Sequence, residues 1–96
     1  MRILIAEDEM RASRGLRMLL TSISPEAEVV AEASDGRQAF ELIKLHRPDV
    51  VFTDIRMPYM DGISLIRAVR DQRIDTKFVI ITAYEEFEFA RQPRFA

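Results

Sequence analysis

Three carboxylates and one hydroxyl stand where short apolar runs of the sequence end, and these are Glu7, Asp8, Asp54 and Thr82. Unit charges of like sign about 4 Å apart repel by roughly 4 kcal/mol at an effective dielectric near 20. A divalent cation removes that conflict, and an all-oxygen set without His or Cys favours Mg²⁺. A strand-end carboxylate can attack phosphorus to form an aspartyl-phosphate, to which a nearby hydroxyl can donate a hydrogen bond. The residue types therefore predict a magnesium-dependent phosphoryl site, provided that the fold joins them.

Single acids carry less information, because sixteen of the 96 residues are Asp or Glu. An aspartate followed by glycine is typical of a turn or a helix cap. We interpret Asp35, which precedes Gly36, as a turn or helix cap, and Asp61, which precedes Gly62, as a turn. Glu7, Asp8 and Asp54 differ because they end neighbouring buried strands, where an uncompensated charge is costly.

Two kinds of segment alternate along the chain. Apolar runs that are typical of buried parallel strands occupy residues 3–6, 28–33, 50–53 and 78–82. Apolar residues at helical spacing occupy residues 12–23, 39–43 and 65–69, and a fourth helix is predicted from Tyr84 onwards. The order βαβαβαβα predicts one three-layer α/β domain over residues 1–96, with helices on both faces of a parallel sheet. Ligands of such sheets lie beyond the carboxyl ends of the strands.

Composition excludes several other classes of protein. Hydrophobic residues make up 48% and charged residues 31%, as in an ordinary globular protein. A net charge of -2, with cations scattered among acids, argues against a nucleic-acid surface. The absence of cysteine excludes disulfides and thiolate chemistry. No apolar run is long enough to cross a membrane, and the first residues lack the pattern of a signal peptide, so we expect a cytoplasmic domain.

Three blocks of the sequence resemble the response regulator receiver domain, whose fold is that of the chemotaxis regulators. Residues 3–9 (ILIAEDE) are similar to its first strand and acidic pair, and residues 52–62 (FTDIRMPYMDG) to its phosphoacceptor block. Residues 81–84 (ITAY) are similar to its switch segment. The resemblance implies a doubly wound parallel sheet of strand order 2-1-3-4. Residues 83–90 resemble receivers that carry an AraC-type DNA-binding domain.

The resemblance also implies a role for each site residue. Asp54 is the phosphoacceptor, which receives its phosphoryl group from a sensor histidine kinase, and Thr82 is the switch hydroxyl. Asp8 and Asp54 bind Mg²⁺ through their side chains, Glu7 binds it through water, and the backbone carbonyl of Arg56 completes the set. The domain is then a signalling module that regulates a downstream transcriptional output, not an enzyme, apart from its own phosphorylation and dephosphorylation.

The sequence departs from the family pattern at its end. In the family a fifth strand carries a lysine that pairs with the phosphoryl group, followed by a fifth helix, whereas the lysines here are Lys44 and Lys77. Residues 91–96 are off-pattern, since Pro93 interrupts the predicted fourth helix. We therefore expect a receiver that lacks the fifth strand and helix.

Two other functions stay open on this basis. One is a non-phosphorylatable interaction module, favoured by the missing lysine and fifth strand, that sequesters a partner or forms a homodimer. The homodimer would form through edge pairing or element exchange, because an apolar edge strand without a neighbour pairs readily. The other is a magnesium-dependent phosphohydrolase with Asp54 as nucleophile. We rank it last because Ile55 and Arg56 follow Asp54, where a second acid is needed to protonate the leaving group.

Overall fold

The structure, a computed structural model, describes residues 1–81. Strands and helices alternate in the order β1 (Arg2–Ala6), α1 (Met10–Ile23), β2 (Glu28–Ala33), α2 (Gly36–His46), β3 (Val50–Asp54), α3 (Gly62–Asp71) and β4 (Lys77–Ile81). The predicted strands and first three helices are therefore confirmed, with small differences at their ends. Thr82 and the predicted fourth helix lie outside the described residues.

The four strands form one parallel sheet in the order β2-β1-β3-β4, which confirms the predicted strand order. Ala6, the last residue of β1, pairs with Ala33 on β2 and with Thr53 on β3. Because the register brings the carboxyl ends of β1 and β3 level, the residues that follow Ala6 and Thr53 meet at one edge of the sheet. This edge is where ligands of doubly wound sheets bind.

The two faces of the sheet are covered unequally. Among residues 1–81, a cluster of nine buried residues fills the face under α2 and α3: Leu4, Ala6, Ala33, Ala39, Ile43, Val51, Leu65, Val69 and Ile74. Under α1 the buried set within the described part of the chain is smaller and consists of Ile3, Ile5 and Val50. Leu16 and Leu20 of α1 pack on this second set but remain partly exposed. The larger core therefore holds α2 and α3, and α1 rests on a thinner apolar layer.

An acidic side chain caps the start of each described helix. Glu9 accepts a hydrogen bond from the Arg11 amide, Asp35 accepts one from Gln38, and Asp61 accepts one from Ser64, at distances of 3.0, 2.7 and 2.7 Å. Asp35 is thus a helix cap, as we interpreted it. The turn predicted at Asp61-Gly62 is a helix start instead, because the cap bond satisfies a free amide of the first turn. None of these helices in residues 1–81 is long and apolar enough to cross a membrane.

Candidate functional site

Three carboxylates meet at the carboxyl ends of β1 and β3. One oxygen each from Glu7, Asp8 and Asp54 lies within 4.8 Å of the other two. Glu7 and Asp54 are buried, with 7% and 4% of their surface exposed, whereas Asp8 is exposed. The structure therefore brings together the three acids that the sequence selected, and leaves one of them open to solvent.

Backbone contacts fix the orientation of Asp54. Its Oδ1 accepts a hydrogen bond of 2.7 Å from the Ile55 amide, and its carbonyl accepts one of 2.9 Å from the Thr53 hydroxyl. Gly62, at the start of α3, donates its amide to the Ile55 carbonyl at 2.7 Å. Because Gly62 has no side chain, α3 can begin in contact with the Asp54 peptide. Asp54, the last residue of β3, is thus held in contact with the start of α3.

The pKa of Glu7 reflects the repulsion and burial of these acids. Burial is the main cause that raises the pKa of Glu7 from 4.5 to about 8, and a hydrogen bond with Asp54 and the charge of Asp54 add to it. The Glu9 amide, which donates to Glu7 Oε1 at 3.1 Å, opposes the rise in pKa only in part. At neutral pH without a cation, Glu7 therefore keeps its proton and donates it in a hydrogen bond to Asp54.

The donor set fits a hard divalent cation. All three groups offer carboxylate oxygens, and among the described residues no His or Cys accompanies them. Such a set suits Mg²⁺, which binds a few carboxylates and keeps several waters on its open side. The exposed side at Asp8 provides room for those waters. The proton that burial holds on Glu7 is the charge that a cation would replace.

Sequence reasoning did not anticipate a cleft of about 390 Å³ beside the acids. Its lining includes Glu7 and Asp8 together with Ser13, Arg17 and Glu32. One residue could have indicated this cleft from the sequence. Ser13 is the one buried residue of α1 and interrupts the apolar side of that helix. A polar side chain at such a position needs a partner, and the structure supplies Glu32.

Of the two other predicted site residues, the structure describes Arg56 but not Thr82. Arg56 is exposed and lies two positions after the end of β3. The loop that follows is held to α2, since the Gly36 amide donates to the Pro58 carbonyl at 3.4 Å. Tyr59 in this loop has a φ of 69°, which is rare for an aromatic residue. Thr82 falls outside the described residues, so its role stays a prediction.

Comparison with known families identifies the class of protein that this fold and site define. The family model for the response regulator receiver domain matches residues 3–93. The chain belongs to this family, the receiver domain of two-component systems, and the resemblance drawn from its sequence blocks is confirmed.

Individual relatives agree with this assignment. An uncharacterized response regulatory protein of Vibrio cholerae is 45% identical over 83 residues, which cover 86% of this chain and 32% of that protein. The receiver domain of the response regulator NarL from Mycobacterium tuberculosis is 38% identical, with a TM-score of 0.81, and the match covers 97% of this chain and 69% of that one. The CheX-CheY-BeF3-Mg complex of Borrelia burgdorferi matches at 27% identity and a TM-score of 0.79, over 92% of this chain and 66% of that one. The chain thus spans about a third of the Vibrio protein's length.

Proposed function

We propose that Asp54 accepts a phosphoryl group from a sensor histidine kinase and later loses it by hydrolysis. The observation that carries this proposal is the convergence of Glu7 and Asp8 on a buried Asp54 whose carboxylate is anchored by the Ile55 amide. A nucleophile held at a strand end reaches phosphorus without reorganisation. The neighbouring acids provide the charge that a metal ion needs.

We assign Mg²⁺ to these acids, with Asp8 and Asp54 as direct ligands, Glu7 as a ligand through water and the Arg56 carbonyl as a backbone ligand. The bound cation would neutralise charge on the equatorial oxygens of the transferred group. The fit of the three carboxylates supports this assignment. The Borrelia burgdorferi relative, whose solved complex contains Mg²⁺ and BeF3, supports it by analogy.

The output of the signal belongs to the same proposal. Thr82 would donate a hydrogen bond to the phosphoryl group and pass the change to the surface that meets a partner. We propose a cytoplasmic regulator whose output is transcriptional, and the M. tuberculosis relative, a transcriptional regulatory protein, supports this. An AraC-type output stays a prediction from residues 83–90.

Mass spectrometry of the intact chain tests the proposal. After incubation with Mg²⁺ and acetyl phosphate or phosphoramidate, we expect one added phosphoryl group, which Asp54→Asn should abolish. Asp61→Asn is the matched control, because Asp61 is an exposed acid of the following loop and Asn keeps the helix cap. The proposal fails if the adduct is absent with both donors, or if it survives in Asp54→Asn. Turnover of a phosphoester by the intact chain would favour a phosphohydrolase instead.

A homodimerising interaction module is the second candidate function. It is favoured by β4, which among residues 1–81 pairs on one side only, with Val79 and Ile80 40% and 44% exposed. The free backbone groups of such an edge can pair with another strand, and a second copy of the chain provides one. Sedimentation of the unphosphorylated chain at micromolar concentration tests this: a dimer that Ile80→Lys dissociates supports it, and a monomer contradicts it.

A further inference from the structure

One polar cluster near the acids joins α1 to β2. Glu32 Oε1 accepts a hydrogen bond of 2.8 Å from the Ser13 hydroxyl, and Glu32 Oε2 forms an ion pair with Arg17. Ser13 is buried, whereas Glu32 and Arg17 keep part of their side chains in solvent. We call these three residues the Ser13–Glu32–Arg17 clasp. It lies in the wall of the cleft beside the carboxylates.

The clasp has a direct connection to the acidic loop formed by residues 7–9. On one side of this loop, the Glu7 amide donates to the Ala33 carbonyl of β2 at 2.9 Å. On the other side, the Ser13 amide donates to the Glu9 carbonyl at 3.0 Å, so Ser13 stacks one helical turn from the end of the loop. The loop therefore runs between two attachments to consecutive residues of β2, Glu32 and Ala33.

Asp8 is the middle residue of this loop. Its side chain is exposed and makes no hydrogen bond with the residues that the structure describes. Apolar packing by Leu16 and Leu20 does not fix the position of α1 along its own axis, because such contacts are not directional. A hydrogen bond and an ion pair with defined geometry do fix it.

We propose that Glu32 is a positioning residue, which acts through the Ser13–Glu32–Arg17 clasp to hold the acidic loop where Asp8 can bind a divalent cation together with Glu7 and Asp54. The inference rests on the proposed metal site and extends it to residues that contact no metal. Supports of this kind typically change metal affinity by about tenfold or more when they are directly hydrogen-bonded to a ligand. Within residues 1–81, the clasp makes no direct hydrogen bond to a proposed metal ligand, and it acts on Asp8 through the backbone of the acidic loop.

Arg17 separates positioning from simple electrostatics. Arg17→Ala removes a positive charge near the acids, so electrostatics alone would make Mg²⁺ binding tighter. If the clasp positions the loop, the same variant binds Mg²⁺ more weakly, by about threefold to tenfold. Arg14 is the matched control, because it lines the same cleft and makes no ion pair with the described residues. We expect Arg14→Ala to bind Mg²⁺ as tightly as the unaltered chain or more tightly.

The experiment is a Mg²⁺ titration followed by the amide NMR resonances of residues 7–9 and 54 in the full chain. Ser13→Ala, which changes no charge, should also weaken binding, and Arg17→Lys should recover part of the affinity of the unaltered chain. Dispersed spectra before titration show that each variant is folded.

The outcomes distinguish this inference from the function on which it rests. If the unaltered chain shows no Mg²⁺-dependent shifts, the proposed metal site is wrong and the inference falls with it. If the unaltered chain binds Mg²⁺ and Arg17→Ala binds it equally or more tightly, the metal site stands and the positioning role of the clasp is overturned. Weaker binding by both Arg17→Ala and Ser13→Ala, with Arg14→Ala not weakened, supports the inference.

Discussion

Polar groups at the two ends of the sheet have opposite kinds of neighbours. At the amino end of β1, the terminal ammonium of Met1 donates to the Glu26 carbonyl at 3.0 Å, and the Arg2 amide donates to Asp49 at 2.7 Å. The Arg2 guanidinium donates to two carbonyls at the end of α2, those of His46 and Arg47. These charges meet groups of complementary character, as the end of a helix dipole requires.

At the carboxyl end of the same strand, like groups face each other. Glu7 and Asp54 lie close together below the surface, and the pKa of Glu7 rises as a result. Such an arrangement lowers stability unless a ligand completes it, and it is typical of functional sites. The polar contacts at the amino end therefore stabilise the fold, whereas the acids at the carboxyl end lower stability and provide a binding site.

The largest effect is expected from Gly62→Ala at the carboxyl end. A Cβ at this position would overlap the carbonyl of Asp54, and this backbone group at the end of β3 cannot move away as the end of a flexible side chain could. Overpacking of this kind should lower the free energy of unfolding by about 3 kcal/mol and reduce the yield of the Asp54 adduct. Urea unfolding and the mass assay measure the two effects.

Gly15→Ala is the control for Gly62→Ala. Gly15 lies inside α1, and a Cβ there has no neighbouring atom within 4 Å. The variant should raise the free energy of unfolding by about 1 kcal/mol, because alanine favours the helix. Equal stability of the two variants would contradict the close approach of α3 to Asp54.

An intermediate effect is expected from pH. The pKa of Glu7 is raised from 4.5 to about 8 in the folded chain, so the folded state holds more protons than the unfolded state between these values. The contribution of Glu7 to stability is therefore full at low pH and is lost as pH rises towards 8. In metal-free buffer, we expect the free energy of unfolding to fall between pH 5 and pH 8, as measured by urea unfolding.

Glu7→Gln should flatten this pH profile, because glutamine cannot lose the proton. Glu28→Gln removes an exposed acid of β2 and should leave the profile unchanged. Saturating Mg²⁺ should stabilise the unaltered chain more at pH 8 than at pH 5, since the cation replaces the proton. If the free energy of unfolding in metal-free buffer rises with pH over this range, the pKa of Glu7 is not raised by burial and by Asp54.

The smallest effect is expected from Arg2→Ala at the amino end. Loss of the guanidinium leaves the His46 and Arg47 carbonyls without this donor and should lower the free energy of unfolding by about 1.5 kcal/mol. Mg²⁺ affinity should not change, because the site lies at the other end of the strand. Arg11→Ala, which removes an exposed side chain, should alter stability by less than about 0.5 kcal/mol. A loss of Mg²⁺ affinity in Arg2→Ala would show that the two ends are coupled.

Sequence patterns predicted the architecture well because each strand is a continuous apolar run and each helix shows a clear apolar side. They also selected Glu7, Asp8 and Asp54, since these acids lie within two residues of the end of such a run. They predicted a turn at Asp61-Gly62 where α3 starts, because the same two residues suit a turn and a helix cap. They missed the clasp, since Ser13 and Glu32 are nineteen residues apart and neither belongs to a local pattern.

The sequence alone determined the alternation of strands and helices, the presence of an acid at the end of each of two strands, and the receiver family. These properties depend on local periodicity and on contiguous blocks of residues. Only the tertiary structure decided that Glu7 is buried against Asp54 and therefore holds a proton, while Asp8 remains exposed. Burial and the distance between charges depend on how β1 and β3 pair, so neighbouring residues with the same acidic chemistry can acquire different roles.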